Sequence, residues 1–406
     1  MDVATERRLG DQIAALLAAN TTMMADSEYR QPVAHYIDAQ HLQRERTLLF
    51  RGQPLIVAAS SELARPGDFR TVDIDGVSAL IVRQADGRLA AFHNVCRHRG
   101  CRVVDEEAGH RATFSCKFHS WVYGADGSLR HIPQQEAFAG IDRASRALVP
   151  LPVVERHGLV WLGPIEGGAV DIDSFLGPMA AVLAEMKIAE GGVFRFERYG
   201  EQLNWKLVVD TFLELYHVPH LHNKTVGRFI EGRGGVYEQL GRHGRFVAPR
   251  KSYDAVRHLP AEQRQFGDHI VGIHRVFPNA IVVWQRDHVE FWTAVPDGAD
   301  PDRCVVRTWL ISPEREVRPA DREKWEKNWQ ILRGTVQAED FPMARTIQQG
   351  FHSGAQDHVV FGRNEPGLHD FHASLVKVMG NGAGASTPSS GAQRRTRRYR
   401  GHTSTL

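Results

Sequence analysis

Asn94-Val95-Cys96-Arg97-His98-Arg99-Gly100 is answered, with seventeen residues between His98 and Cys116, by Cys116-Lys117-Phe118-His119-Ser120-Trp121. Each limb carries one cysteine and then one histidine, C-x-H in the first and C-x2-H in the second. That order suits a two-iron cluster to which each loop gives a thiolate for one iron and an imidazole for the other. Two neutral imidazoles in place of two thiolates remove negative charge and raise the reduction potential far above that of an all-cysteine cluster. A structural zinc site also uses two Cys and two His, but zinc fingers usually group the cysteines in one limb and the histidines in the other. The mixed order favours iron.

A one-electron centre needs an acceptor, and the candidate lies about a hundred residues on, in Asn204-Trp205-Lys206 through Glu214, His217 and His222. Read as a helix at 100° per residue, Trp205, Val208, Val209, Phe212, Leu215 and Tyr216 share one broad face, with Lys206, Asp210, Glu214 and His217 on a narrow opposite stripe. By itself such a stripe reads as a solvated helix face. Pro219 should break the helix, so that His217 and His222 converge from a helix and a loop. Residues 321–351 read as one long helix with apolar Trp325, Trp329, Leu332, Val336, Met343 and Ile347 on one side. Asp340 falls in that row. A carboxylate aimed into a core is costly unless a cation receives it, whereas Asp before Pro342 could also cap a restarted helix; helix phase leaves the two open.

Taken together, the cluster loops, the Asn204-Trp205-Lys206…Glu214…His217…His222 run and Ala338-Glu339-Asp340-Phe341-Pro342 resemble the Rieske non-heme iron oxygenases, alpha (terminal oxygenase) subunit, over nearly the whole chain. The resemblance implies a Rieske [2Fe-2S] cluster on Cys96, His98, Cys116 and His119, and a mononuclear Fe(II) on His217, His222 and Asp340, favoured over Glu339. Those three form a two-histidine, one-carboxylate facial set. It further implies that Glu214 bridges an iron-ligand histidine to His119 of a neighbouring copy in a homotrimer. Many ring dioxygenases of the family have aspartate at that place, and glutamate occurs in members attacking quaternary amines. His220 is left to line the pocket or to support the ligands from behind, and Cys101 and Cys304 are left as small buried residues. The aromatic pocket candidates are Phe229, Phe246, Phe277, Trp284 and Trp292.

The expected fold is α+β, a small all-β Rieske domain plus a helix-grip (START/SRPBCC-like) catalytic domain with an antiparallel sheet. The boundaries are 1–50 for an N-terminal helical segment packing on the catalytic domain and 51–165 for the cluster domain. The catalytic domain takes 166–379, and 380–406 forms a disordered tail, basic at Arg394, Arg395, Arg397, Arg398 and Arg400. Turn signals at Ala85-Asp86-Gly87, Ala125-Asp126-Gly127 and His157-Gly158 punctuate the β block.

A net charge of +2 gives no sign of a nucleic-acid surface. Four cysteines leave no disulfide framework and point to the cytoplasm. The seven-residue apolar run Ile13–Ala19 is short for an export signal and reads as an amphipathic helix; no stretch is long enough to span a membrane. No Gly-x-Gly-x-x-Gly loop follows a strand, so electrons should come from a separate reductase, with or without a ferredoxin. The expected activity is hydroxylation, by mono- or dioxygenation, of a small, aromatic organic substrate with O2. The alternatives are oxidative N- or O-dealkylation, for example of a quaternary amine, a Rieske electron carrier without oxygenase activity, and a zinc-stabilised binding module.

Overall fold

The computed structural model describes residues 2–380 except 166, 169, 261 and 262; the predicted tail beyond Gly380, with its arginines, lies outside the described residues. Short strands with Gly-bearing turns build the first β region. Pro150–Leu151, Leu89–His93, Val77–Arg83, Asp68–Ile74 and Ala108–His110 form one antiparallel sheet in that order. Thr113–Ser115, Val122–Gly124 and Leu129–His131 form a smaller one. The turn glycines do what a turn demands: Gly87 and Gly127 have φ of 83° and 79°, a region that costs glycine little and other residues more. Phe69, Leu80, Val82, Phe114, Trp121 and Tyr123 close the core between these sheets, with Cys96 and Cys116 at its edge.

The second region is a seven-stranded antiparallel sheet. Its spatial order is Gly192–Glu201, Cys304–Ser312, Val289–Pro296, Ala280–Trp284, Ile270–Val276, His243–Pro249 and Val236–Leu240. Helices Arg322–Thr335 and Phe341–Phe351 run on through a wide π-type turn at Val336–Asp340. Trp325, Trp329, Leu332 and Val336 are buried as the periodicity predicts, but Met343 and Ile347 are 46% and 45% exposed. The π turn inserts one residue, which moves the buried row to Phe341, Ala344, Gln348 and Phe351. Pro342 sits in the first turn of the second helix, where its missing N–H is harmless.

The other predicted helix needs a larger correction. Trp205–Asp210 is only six residues long, an irregular turn follows, and Pro219 starts the short helix Val218–Leu221 instead of ending a long one. Tyr216 is 63% exposed rather than part of a buried face. The polar stripe is not solvated. Lys206 is buried and its ammonium lies 2.7 Å from buried Glu45, which also accepts from the Trp205 indole at 2.8 Å. Asp210 accepts from the Tyr36 hydroxyl at 2.9 Å and lies 3.0 Å from His372 Nε2. These contacts anchor the N-terminal segment to the helix that precedes the histidine pair.

The helix Val3–Ala18 is amphipathic: Leu9 and Ile13 pack with Val236, Val247, Tyr253, Phe266 and Ile270 of the large sheet and its adjoining turns. No helix among the described residues is long and apolar enough to cross a membrane.

Candidate metal centres and substrate cavity

The two cluster loops share one construction. In each, the cysteine carbonyl accepts from the amide four residues on, Gly100 to Cys96 at 3.0 Å and Ser120 to Cys116 at 2.9 Å. The accepting turns close with positive φ, 81° at Gly100 and 56° at Ser120. This aims each Cys–His pair towards the other loop. Both thiols are buried and free of disulfides. The His98 and His119 rings lie 4.6 Å apart, and His98 stacks on Trp121 at 4.8 Å. Tyr123, which no sequence motif singles out, sets its hydroxyl 3.4 Å from the Cys96 sulfur and accepts from the Arg97 amide.

These residues fit a Rieske cluster. His98 Nδ1 is buried without a hydrogen-bond partner, a costly state for an imidazole nitrogen that a metal would relieve. Among the described residues, the only group of three such donors drawn within 4.8 Å of one another lies elsewhere, at His217, His222 and Asp340. The quartet of Cys96, His98, Cys116 and His119 is more widely spread, as two irons require and a single tetrahedral zinc does not. His119 is exposed, beside Phe118 at 56% exposure.

At the second centre, His217 and His222 flank the short helix Val218–Leu221, one at each end. Asp340, 5% exposed, comes from the π turn. It makes no capping hydrogen bond there, so the alternative of a helix cap fails. Asp340 Oδ1 lies 3.0 Å from His222 Nε2 and 3.6 Å from His217 Nε2. The opposite nitrogens are held by two glutamates: Nδ1 of His217 by Glu214, whose second oxygen accepts the His217 amide at 3.1 Å, and Nδ1 of His222 by Glu339 at 2.6 Å. Burial opposes protonation of both rings, yet the carboxylates around them raise both pKa values. Two neutralisable imidazoles and a carboxylate with open space beside them suit a divalent iron. Carboxylate partners on the far nitrogens fix tautomer and direction, as is usual for ligating histidines. Glu339 was a rival ligand in sequence. It instead orients His222 and accepts from Thr225 at 2.6 Å.

The three donors line a cavity of about 690 Å³. Phe212 and Trp292 meet near them with ring centroids 4.7 Å apart. Of the predicted aromatics, Phe229 and Trp292 line this cavity. Phe246 and Phe277 are buried in core clusters, and Trp284 packs against other parts of the core. His220 is exposed and absent from the lining, because the short helix turns it outward. Cys304 is fully buried in its strand, and Cys101 is partly so.

One helix face, Lys324, Asn328, Leu332, Val336 and Asp340, runs the length of the cavity, about 24 Å for sixteen residues. The metal end and the apolar middle therefore grade into a polar outer end. There His288 sits 2.7 Å from Asp287 and 3.1 Å from Glu290, and Lys324 lies 2.7 Å from Asp287. Burial opposes charge on His288, but the two carboxylates prevail and raise its pKa to about 9. The sequence carried no periodic signal for this cluster, since Gln285 to His288 form the irregular connection between two strands.

Such a pair of centres, one in a small β domain and one under an antiparallel sheet, defines a class of iron-dependent oxygenase subunit. Residues 53–152 match the Rieske [2Fe-2S] domain family and residues 188–381 the ring hydroxylating alpha subunit (catalytic domain) family. The chain belongs to the Rieske oxygenase alpha subunits, a family that carries a Rieske cluster and a mononuclear iron. It is 30% identical over 233 residues to the glycine betaine monooxygenase oxygenase subunit of Pseudomonas aeruginosa, covering 57% of this chain and 54% of that one. It is 32% identical over 198 residues to the carnitine monooxygenase oxygenase subunit of Escherichia coli, covering 47% and 51%. The matched region thus spans about half the length of these curated relatives. In fold, it is similar to a quaternary ammonium Rieske monooxygenase crystallised with L-carnitine, at TM-score 0.74 and 20% identity, covering 87% of this chain and 97% of that chain. It is also similar to the naphthalene 1,2-dioxygenase of a Rhodococcus species, at 0.72 and 19%, covering 86% and 94%.

Proposed function

We propose that the protein is the terminal oxygenase component of a multi-component system that oxidises a methyl group on the nitrogen of a small organic amine. The observation that carries the oxygenase reading is the convergence of His217, His222 and Asp340 within 4.8 Å at the inner end of a mostly apolar cavity. An electron carrier needs no such open, substrate-sized centre.

Iron held there supplies the means to bind and reduce O2 beside the substrate. The chain's own residues do the rest. Glu214 and Glu339 hold the two imidazoles in one tautomer and direction. Phe212, Leu215, Ile273 and Val336 keep water from the reacting C–H bond. Net, two electrons and two protons are taken up; one oxygen atom enters the C–H bond and the other leaves as water. The N-hydroxymethyl product then loses formaldehyde. The aromatic rings of Phe212 and Trp292 on the cavity wall suit a cationic ammonium, which such rings attract electrostatically.

Three things favour an amine over an arene: Glu214 at the bridging position, the glycine betaine and carnitine monooxygenases among the relatives, and the charged outer end of the cavity. Electrons would come from a separate reductase, with or without a ferredoxin. Exposed His119 of one copy would approach Glu214 of the next in a homotrimer, so that each mononuclear centre is served by its neighbour's cluster. Four free thiols suit a reducing cytoplasm. The test is turnover with a compatible reductase under ¹⁸O2 against a panel of methylated amines and arenes. Formaldehyde with a demethylated amine supports the proposal, and a labelled arene cis-diol assigns ring dihydroxylation instead.

A further inference from the structure

The outer half of the cavity contains an imbalance of charge. Asp268 pairs with Arg286, Asp287 with Lys324 and His288, and Glu290 with His288. Three acids are thus set against three cations. Arg250 is the cation left over; it is in no ion pair among the described residues, although Asp287 and Glu290 lie near enough to act on it at longer range. Its Nε–H donates to the Ile270 carbonyl at 3.1 Å and one Nη2–H to Gln285 at 2.7 Å. A guanidinium has five N–H donors, so three remain. Arg250 lies on the cavity wall at the end of the strand His243–Pro249, bridged to Ile230 of the loop that follows the histidine pair. The clamp to Gln285 and Ile270 holds the fork in place before any ligand arrives. A second unmet donor stands on the same wall: Trp292 is 2% exposed, and its indole N–H has no partner.

We propose that Arg250 is the specificity-determining residue of an anion subsite, and that the substrate carries a carboxylate, held by the Arg250 fork while its other end lies between Phe212 and the metal donors. A planar carboxylate matches the guanidinium in two parallel hydrogen bonds, which neutral groups of similar size cannot reproduce. The strand register supports this placement. Trp292 lies across from Ile281, Glu290 from Val283, and Gln285 falls one residue beyond the Trp284–Gly272 pair, so the wall steps outward from the metal end to Arg250. A molecule with an oxidisable methyl group at one end and a carboxylate at the other would span these steps. The proposal rests on the oxygenase reading above for what happens at the inner end, but not for binding.

The test is calorimetric titration of the anaerobic holoenzyme with a series of ω-(trimethylammonio)alkanoates and their methyl esters, repeated on Arg250→Gln and Arg250→Lys. The acid of the best chain length should bind the wild type about tenfold or more tightly than its ester. That preference should vanish in Arg250→Gln and be partly restored in Arg250→Lys, while the affinity for the ester stays within about twofold throughout. Equal binding of acid and ester by the wild type, no binding of any acid, or a preference that survives in Arg250→Gln overturns the proposal. If the preference follows Arg250 but no chain length yields an O2-dependent product, the anion subsite stands and the reading of the reaction is what fails.

Discussion

Glu339 Oε2 lies 2.6 Å from His222 Nδ1, while Asp340, the next residue, approaches Nε2 of the same ring at 3.0 Å. Two neighbouring carboxylates thus grip opposite sides of one imidazole. Both acids stand at the end of the π turn Val336–Asp340, so one stretch of backbone sets the two contacts.

The two acids should therefore differ in their effects. Glu339→Gln keeps the shape but turns an acceptor pair into a mixed donor and acceptor, and should weaken mononuclear iron binding about 10–100-fold. Asp340→Ala should abolish it. Iron titration into the chelated variants, read against the unchanged visible band of the cluster, checks both.

Glu45→Ala removes the partner of a fully buried ammonium. Breaking a buried ion pair costs about 3–5 kcal/mol, and denaturant unfolding should show a loss of that order. Lys206→Met with Glu45→Leu, which removes both charges, should be less destabilising than Glu45→Ala alone.

What the sequence made legible was chiefly local. The mixed Cys/His order marked the cluster loops by itself, whereas the His217 and His222 spacing was weak alone and drew its reading from the family resemblance of the run that begins at Asn204. Asp340 in an apolar row was open between a ligand and a helix cap, and only the resemblance of Ala338-Glu339-Asp340-Phe341-Pro342 to the family favoured it as the carboxylate beside the two histidines. The long-range pairings were not readable. Lys206 looked solvated because its partner, Glu45, lies 161 residues away, and a stripe of charges on a helix has the same periodicity whether it faces water or a second polar row. Met343 and Ile347 were placed on the wrong face because nothing in the sequence of an α-helix announces an inserted residue. Arg250 drew no notice, since its value lies in the pairing of every other charge around it.

His288 makes the cavity wall pH-sensitive. Asp287 and Glu290 face it on its own strand and turn, Lys324 and the Trp325 ring from the long helix, and Arg250 across the outer end. Its pKa is about 9 in the fold and about 6.5 when unfolded. A raised folded value means that the stabilisation is fully present below about pH 6.5 and is lost as pH rises through about 9. The wild type should lose up to about 3 kcal/mol relative to His288→Asn between those limits. Parallel stability curves for the two proteins from pH 6 to 10 would show that the charge on His288 contributes nothing.

Glu214→Gln should retain both metal centres yet slow cluster reoxidation by orders of magnitude in a single turnover with substrate and O2. Mixed assemblies of Glu214→Gln and Cys116→Ser chains should recover part of the activity, because an intact cluster on one copy can serve an intact Glu214 on its neighbour. A rate equal to wild type in Glu214→Gln would leave the carboxylate with only the orientation of His217.

The most direct measurement is the iron content of the purified protein beside that of Asp340→Ala, with the visible spectrum of each. The wild type should hold about three irons per chain and the variant about two, with the reddish-brown Rieske absorption intact in both. A variant that keeps its third iron, or a colourless wild type loaded with a single zinc after iron-replete anaerobic expression, would contradict the assignment of His217, His222 and Asp340 as the oxygen-activating centre.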